Sequence, residues 1–119
     1  KDADRKGLTE IAREVRKLIE RTRTGHLQAG DFEGGTFTVS NLGMYDVDEF
    51  AAIINPPESA ILAVGSIKKK PVVKDDSIVI SERMRLTLSV DHRVFYGATA
   101  GEFLREVKRL LEEPLSLLL

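Results

Sequence analysis

The residues best placed to do chemistry lie between Leu86 and Gly101, LTLSVDHRVFYGATAG. Leu86, Leu88 and Val90 alternate with polar neighbours, which is the period of a half-buried strand. The strand delivers Asp91, His92 and Arg93, then bulky residues and Gly97, and a helix begins beyond them. A strand end flanked by opposite charges is a way to hold an imidazole rigidly in a cleft. His92 is therefore the candidate for the chemistry, although spacing alone does not name a reaction.

Composition limits what that reaction can be. A length of 119 residues fits one domain, and 42% apolar content is enough to build a core. Lysine and arginine number 18 against 19 acids, a formal charge of -1, so no basic excess exists to neutralise nucleic-acid phosphates. Without cysteine there is no disulfide, no thiolate zinc site and no cysteine nucleophile. Two histidines are too few for a multi-histidine metal site within one chain, so no metal is expected. No apolar run approaches the roughly 20 residues of a membrane span, and no signal peptide is visible. The expectation is a soluble intracellular chain with no membrane partner. It opens KDADRKG, without an initiating methionine, which points to a piece of a longer protein.

The elements that must position His92 are legible in outline. Leu8, Ile11, Ala12, Val15, Leu18, Ile19 and Thr22 recur at helical spacing over residues 8–23, with Thr9 or Asp4 as the cap and Gly25 at the C-terminal glycine position. His26 then favours the negative end of the helix dipole. Residues 30–35 form a turn. Thr36 to Ser40 reads as a strand rich in β-branched and aromatic residues, stopping at Asn41-Leu42-Gly43. Asn55-Pro56-Pro57 breaks regular structure, and Ala60 to Ile67 is a continuous apolar run, as in a strand buried on both faces.

Lys68-Lys69-Lys70 reads as a solvated strand edge. Val72-Val73 and Ile78 to Ile80 flank a turn at residues 74–77 and make a hairpin, with Ser81 to Arg83 linking it to a strand at residues 84–90. Residues 98–112 form a second amphipathic helix, ended by Pro114. Leu115, Leu117, Leu118 and Leu119 follow a helix that has already stopped, and an apolar end of this kind marks an interface. The order α, β, β, hairpin, β, α implies an α+β or α/β architecture, a mixed sheet covered by helices.

By Gly97 the chain resembles a known family. GGTFTVSNLGMYDVDEF at 34–50, AAIINPPESAILAVGS at 51–66 and SVDHRVFYGA at 89–98 are similar, in this order, to the catalytic domain of dihydrolipoamide acyltransferases, the core enzymes of 2-oxo acid dehydrogenase complexes. The resemblance implies a two-layer sandwich like that of chloramphenicol acetyltransferase. It covers the C-terminal half of that domain, with the lipoyl and peripheral-subunit-binding domains outside residues 1–119. The implied reaction moves an acyl group, preferably acetyl, between the dihydrolipoyl thiol and coenzyme A as substrate. The lipoyl group rides on a domain absent from these residues.

By the same resemblance, His92 is the general base that takes the proton of the attacking thiol. Ordinary thiols and imidazoles titrate about two units apart, roughly 2.7 kcal/mol, a gap that positioned proton transfer can bridge. The oxyanion donor falls at Ser40-Asn41, with Asn41 at the donor position and Ser40 beside it. Tyr96 stands where many members carry Asp and some Asn. Tyrosine cannot form the ion pair that the acid makes, though its hydroxyl can hydrogen-bond, and it occurs in some plastid and cyanobacterial members. Asp91, Arg93 and Gly97 are expected to support the strand end rather than react.

The resemblance further implies a homo-oligomer built from trimers with the site between subunits, joined into a larger core through C-terminal contacts. Its partners would be the 2-oxo acid decarboxylase and dihydrolipoamide dehydrogenase components, in the bacterial cytoplasm or an organelle matrix or stroma. Two other readings compete: an assembly-only piece without turnover, and a chloramphenicol-acetyltransferase-like enzyme.

Overall fold

The computed structural model describes residues 1–118, so Leu119, the last of the tail leucines, lies outside the described residues. Residues 1–35 and the residues from Thr36 onward form two compact units. The first is built on helix α1, Leu8–Arg23, whose N-cap is Gly7, with no capping side chain. Neither Thr9 nor Asp4 caps it. Thr9 lies within the first turn, and Asp4 belongs to a separate 3-10 turn at Ala3–Arg5.

The far end of α1 closes as its glycine predicts. Gly25 adopts φ 71, its N–H donates to Thr22 O (3.3 Å), and the His26 N–H donates to Arg21 O (2.9 Å). That pair of bonds satisfies two orphan carbonyls, so His26 serves the helix through its backbone. Lys6–Glu14 (2.7 Å) and Arg21–Asp31 (3.2 Å) tie the flanking segments back to α1.

The second unit is organised around β2, Ala60–Val64, which pairs parallel with β1, Thr38–Asn41, and antiparallel with β5, Leu86–Val90. The order β1-β2-β5 makes β2 the only strand of this sheet, among the described residues, that is paired on both sides. Ala60, Ile61, Leu62 and Ala63 are all buried, as a continuous apolar run in a central strand requires. Helix α2, Gly97–Glu112, lies against β5, and Phe37 meets Phe103 of α2 with ring centroids 5.6 Å apart. The unit therefore has the expected helix-on-sheet character.

The hairpin differs from the expectation in two ways. Its strands are β3, Lys68–Lys74, and β4, Ser77–Arg83, and they form a sheet of their own. Residues 81–83 are strand rather than link. The turn is Asp75-Asp76 at φ 50 and φ 60, the doubly left-handed geometry that matches strand twist and that aspartate tolerates. The lysine run is strand, with only its alternate members turned outward. Lys68 and Lys70 bind Asp46 (3.1 Å) and Asp48 (3.0 Å), while Lys69 is exposed between them. Period-two alternation divides the run between two environments.

Two glycines bring the segment after β1 against the end of β2. A Cβ at Gly43 would lie 2.9 Å from Gly65 O, and one at Gly65 would collide with Asp48 O. Beside them the Ser66 hydroxyl is buried with no hydrogen-bond partner among the described residues. Gly65→Ala should therefore cost about 1–3 kcal/mol through overpacking. Ser66→Ala removes an unpaired polar atom and should be neutral or stabilising, within about 0.5 kcal/mol of neutral. Urea midpoints of the two variants distinguish these outcomes.

Candidate active site

The last rung of β5 pairs Val90 with Ala60, and the Asp91 N–H extends the ladder by donating to Ser59 O (2.8 Å). The chain then turns. Asp91 O accepts from the N–H groups of Val94 (2.9 Å) and Phe95 (3.0 Å), leaving His92 and Arg93 on the outside of the bend. The Asp91 carboxylate holds this turn through Arg93. Oδ1 accepts the Arg93 backbone N–H (3.0 Å) and Nε (3.0 Å), and Oδ2 accepts Nη2 (2.7 Å). The Arg93 side chain, then its backbone N–H, hold the Asp91 carboxyl down at about 2. The Arg93 guanidinium is raised in turn by Asp91. These two residues are committed to each other.

Tyr96 caps α2 in an extended conformation and turns its ring toward His92, with centroids 6.2 Å apart and planes at 88°. An edge-to-face contact limits imidazole rotation without supplying charge. Gly97 is the first residue of α2, yet a Cβ there would meet nothing within 4 Å. Within this copy the space around Gly97 is open. His92 itself is exposed rather than set in a cleft.

Ser40 and Asn41 end β1. As consecutive residues of a strand they project from opposite faces, and Ser40 is half-buried where Asn41 is exposed. Asn41 Oδ1 accepts the Gly43 N–H (2.9 Å), an orientation that leaves the amide N–H groups pointing outward as donors. The Leu42 N–H donates to Val64 O (3.2 Å) and closes the strand end.

The sheet keeps these candidates apart. Asn41 is in register with Val64, which faces Leu86, whereas His92 follows Val90 at the other end of β2. Four strand steps of about 3.3 Å and two strand spacings of about 4.8 Å separate the two ends by roughly 16 Å. No side chain spans that gap. Within one copy, His92 is therefore not brought together with Ser40 or Asn41.

Sequence reasoning missed an ionic cluster beside β1. Besides the two lysine pairs, the Arg85 guanidinium binds Glu49 and approaches Asp48 (4.0 Å). Lys70 holds the Asp48 carboxyl below its ordinary range, and the hydrogen bond to Glu49 raises Arg85. The acidic run Asp46 to Glu49 facing a lysine run was the available signal, but only the fold shows that the runs meet. A cavity of about 490 Å³ lies elsewhere, between β4, β5 and α2, with Met84, Leu86 and Leu104 in its lining and none of the candidates. The tail folds as a 3-10 turn, Pro114–Leu118, in which Leu115 and Leu118 are 76% and 70% exposed and Leu117 is 45% exposed. No group of three or more metal-ligating side chains occurs among the described residues.

Known proteins share this fold. The dihydrolipoyllysine-residue acetyltransferase component of the pyruvate dehydrogenase complex of Rickettsia prowazekii is 46% identical over all 119 residues, which span 29% of its length. A probable dihydrolipoamide acetyltransferase from Listeria monocytogenes superposes with a TM-score of 0.89 at 44% identity, covering 94% of this chain and 48% of that one. The dihydrolipoamide acetyltransferase of Azotobacter vinelandii superposes at 0.90 and 36% identity, over 98% of this chain and 48% of that one. Its structure was studied for the role of a serine, a histidine and an asparagine in catalysis. The present chain thus spans less than a third of that curated relative and about half of those solved chains. Residues 1–119 match the family model of the 2-oxoacid dehydrogenases acyltransferase catalytic domain end to end, and with fold and sequence in agreement the chain belongs to that family.

Proposed function

We propose that this chain supplies complementary parts of an acetyl-transfer site, in which His92 of one copy works with Ser40 of another. The separation of the two residues at opposite ends of β2 carries this reading. Residues 1–119 correspond to the C-terminal half of a catalytic domain, in line with the 48% of the solved chains that they cover. The acyl group is acetyl and the setting a pyruvate dehydrogenase complex core, as the name of the Rickettsia relative supports. The other partners are the decarboxylase and dihydrolipoamide dehydrogenase components, in the compartment that houses the complex. No helix among the described residues is long and apolar enough to cross a membrane.

In the proposed reaction, His92 takes the proton of the dihydrolipoyl thiol as its sulfur attacks the carbonyl carbon of acetyl-CoA. The tetrahedral intermediate carries the charge on oxygen, where a positioned donor stabilises it. Collapse breaks the bond to the coenzyme A sulfur, and His92 returns the proton to that thiolate. Charge and protons balance, and the same groups serve the reverse direction.

Because Ser40 and Asn41 face opposite ways, only one of them can serve a given oxyanion. One observation favours the Ser40 hydroxyl, since the carbonyl bond to Gly43 leaves the Asn41 amide N–H groups free and does not decide between the two. The serine studied in the Azotobacter enzyme stands at the same separation from its histidine as Ser40 does from His92, and its asparagine at that of Tyr96. Tyr96 would then orient the imidazole by packing.

In the intact protein, His92→Ala should lower the acetyl-transfer rate by roughly 10²–10⁴ without disrupting assembly. Ser40→Ala should cost roughly 10²–10³ in kcat, and Asn41→Ala less than tenfold. Steady-state assay with acetyl-CoA and dihydrolipoamide checks all three, and an unchanged rate for His92→Ala overturns its role. Co-assembly of His92→Ala with Ser40→Ala subunits should restore roughly a quarter of full activity, because some interfaces then receive both intact residues. A site contained within one copy would recover nothing.

A further prediction concerns pH. Asp91 titrates at about 2 when folded, below the ordinary carboxylate value near 3.9. Its contribution to stability is therefore present above about pH 4 and lost as pH falls through about 2. The stability difference between the native chain and Asp91→Asn should shrink across that window, read from thermal midpoints between pH 5 and pH 2.

A further inference from the structure

Strand β1 has only four residues and, among the described residues, is paired on one side alone. The loop beyond its end is held unusually well. The Ser66 N–H donates to Val47 O (2.8 Å), Gly43 sits against Gly65, and three acids of the loop meet three cations, two from β3 and one from the residue before β5. Lys68 reaches Asp46 (3.1 Å), Lys70 binds both oxygens of Asp48 (3.0 Å each), and Arg85 binds Glu49. Lys68 and Lys70 lie two residues apart on one face of β3, so a single strand surface presents both charges to the loop.

A lone exposed ion pair contributes little to stability. This cluster differs because its members converge on one backbone segment from two directions. Lys70 and Asp48 are its centre. Both are half-buried, and Arg85 lies 4.0 Å from the same carboxylate. We infer that the Lys70–Asp48 pair is a positioning device for acyl transfer, holding the loop after β1 so that the Ser40 hydroxyl stays aimed at the oxyanion. The inference rests on the acetyl-transfer reading above. It adds a residue, Lys70, that touches no reacting atom and acts through Ser40. A displacement on the order of 1 Å at a catalytic group can cost up to 10²-fold in rate, so a modest loosening of β1 is enough to matter.

The test uses the intact protein and steady-state acetyl transfer between acetyl-CoA and dihydrolipoamide. Lys70→Met should lower kcat about tenfold and leave both KM values within about twofold, while Lys70→Arg recovers most of the loss. Lys69→Met, on the solvated face of the same strand, should change nothing. The deciding measurement is a double-mutant cycle. In a Ser40→Ala background, Lys70→Met should have little further effect, because the group it positions is gone. A merely structural role would produce the same tenfold loss in both backgrounds and overturn the inference. Full activity of Lys70→Met beside an impaired Ser40→Ala overturns the inference alone. Full activity of Ser40→Ala overturns the donor assignment and this inference with it.

Discussion

Much of this molecule depends on the two-sided pairing of β2. A strand with a parallel neighbour on one side and an antiparallel neighbour on the other brings the C-terminal ends of those neighbours to opposite edges of the sheet. The residues proposed to do the chemistry sit at those two ends, Ser40-Asn41 closing β1 and His92 following β5. Burial of Ala60 to Ala63 makes the register hard to change, since a slip of one residue would turn every side chain of a neighbouring strand to the other face. A core constraint thus keeps His92 apart from Ser40 and Asn41 within a single copy, which is what the proposed site between copies rests on.

The two strand ends are stiffened by different means. At the β5 end, Asp91 and Arg93 form a short-range fork that uses backbone and side chain together, so the turn carrying His92 is held from within. At the β1 end the restraint comes from remote residues, through Ser66, Lys70 and Arg85. A local fork survives wherever the turn itself survives. The remote clamp depends on β3 and β5 being in place, and so reports on the integrity of the whole unit.

Where the sequence spoke clearly, local physics was sufficient. Helix α1 and its glycine terminus follow from apolar spacing and from the φ that Gly25 adopts. The burial of residues 60–63 follows from a run with no polar interruption, and the strand leading to His92 follows from its alternation. The features that stayed hidden depended on partners distant along the chain. Lysines 68 and 70 look solvated until the loop at 46–49 is folded against them. The hairpin forms a sheet of its own, a fact of pairing rather than of propensity. His92 looks like a residue in a cleft, but the chain that carries it leaves it exposed.

The alternation of Ser40 and Asn41 has a consequence for how this family can vary. A chain with the two residues exchanged would keep its composition, its charge and its inventory of donors and acceptors. Yet the hydroxyl would move to the opposite side of the sheet, and Gly43 would lose the carbonyl that now closes the turn. Order within this dipeptide is therefore a geometric property, and a change invisible to any measure of overall chemical similarity would be felt as a reflection of the site.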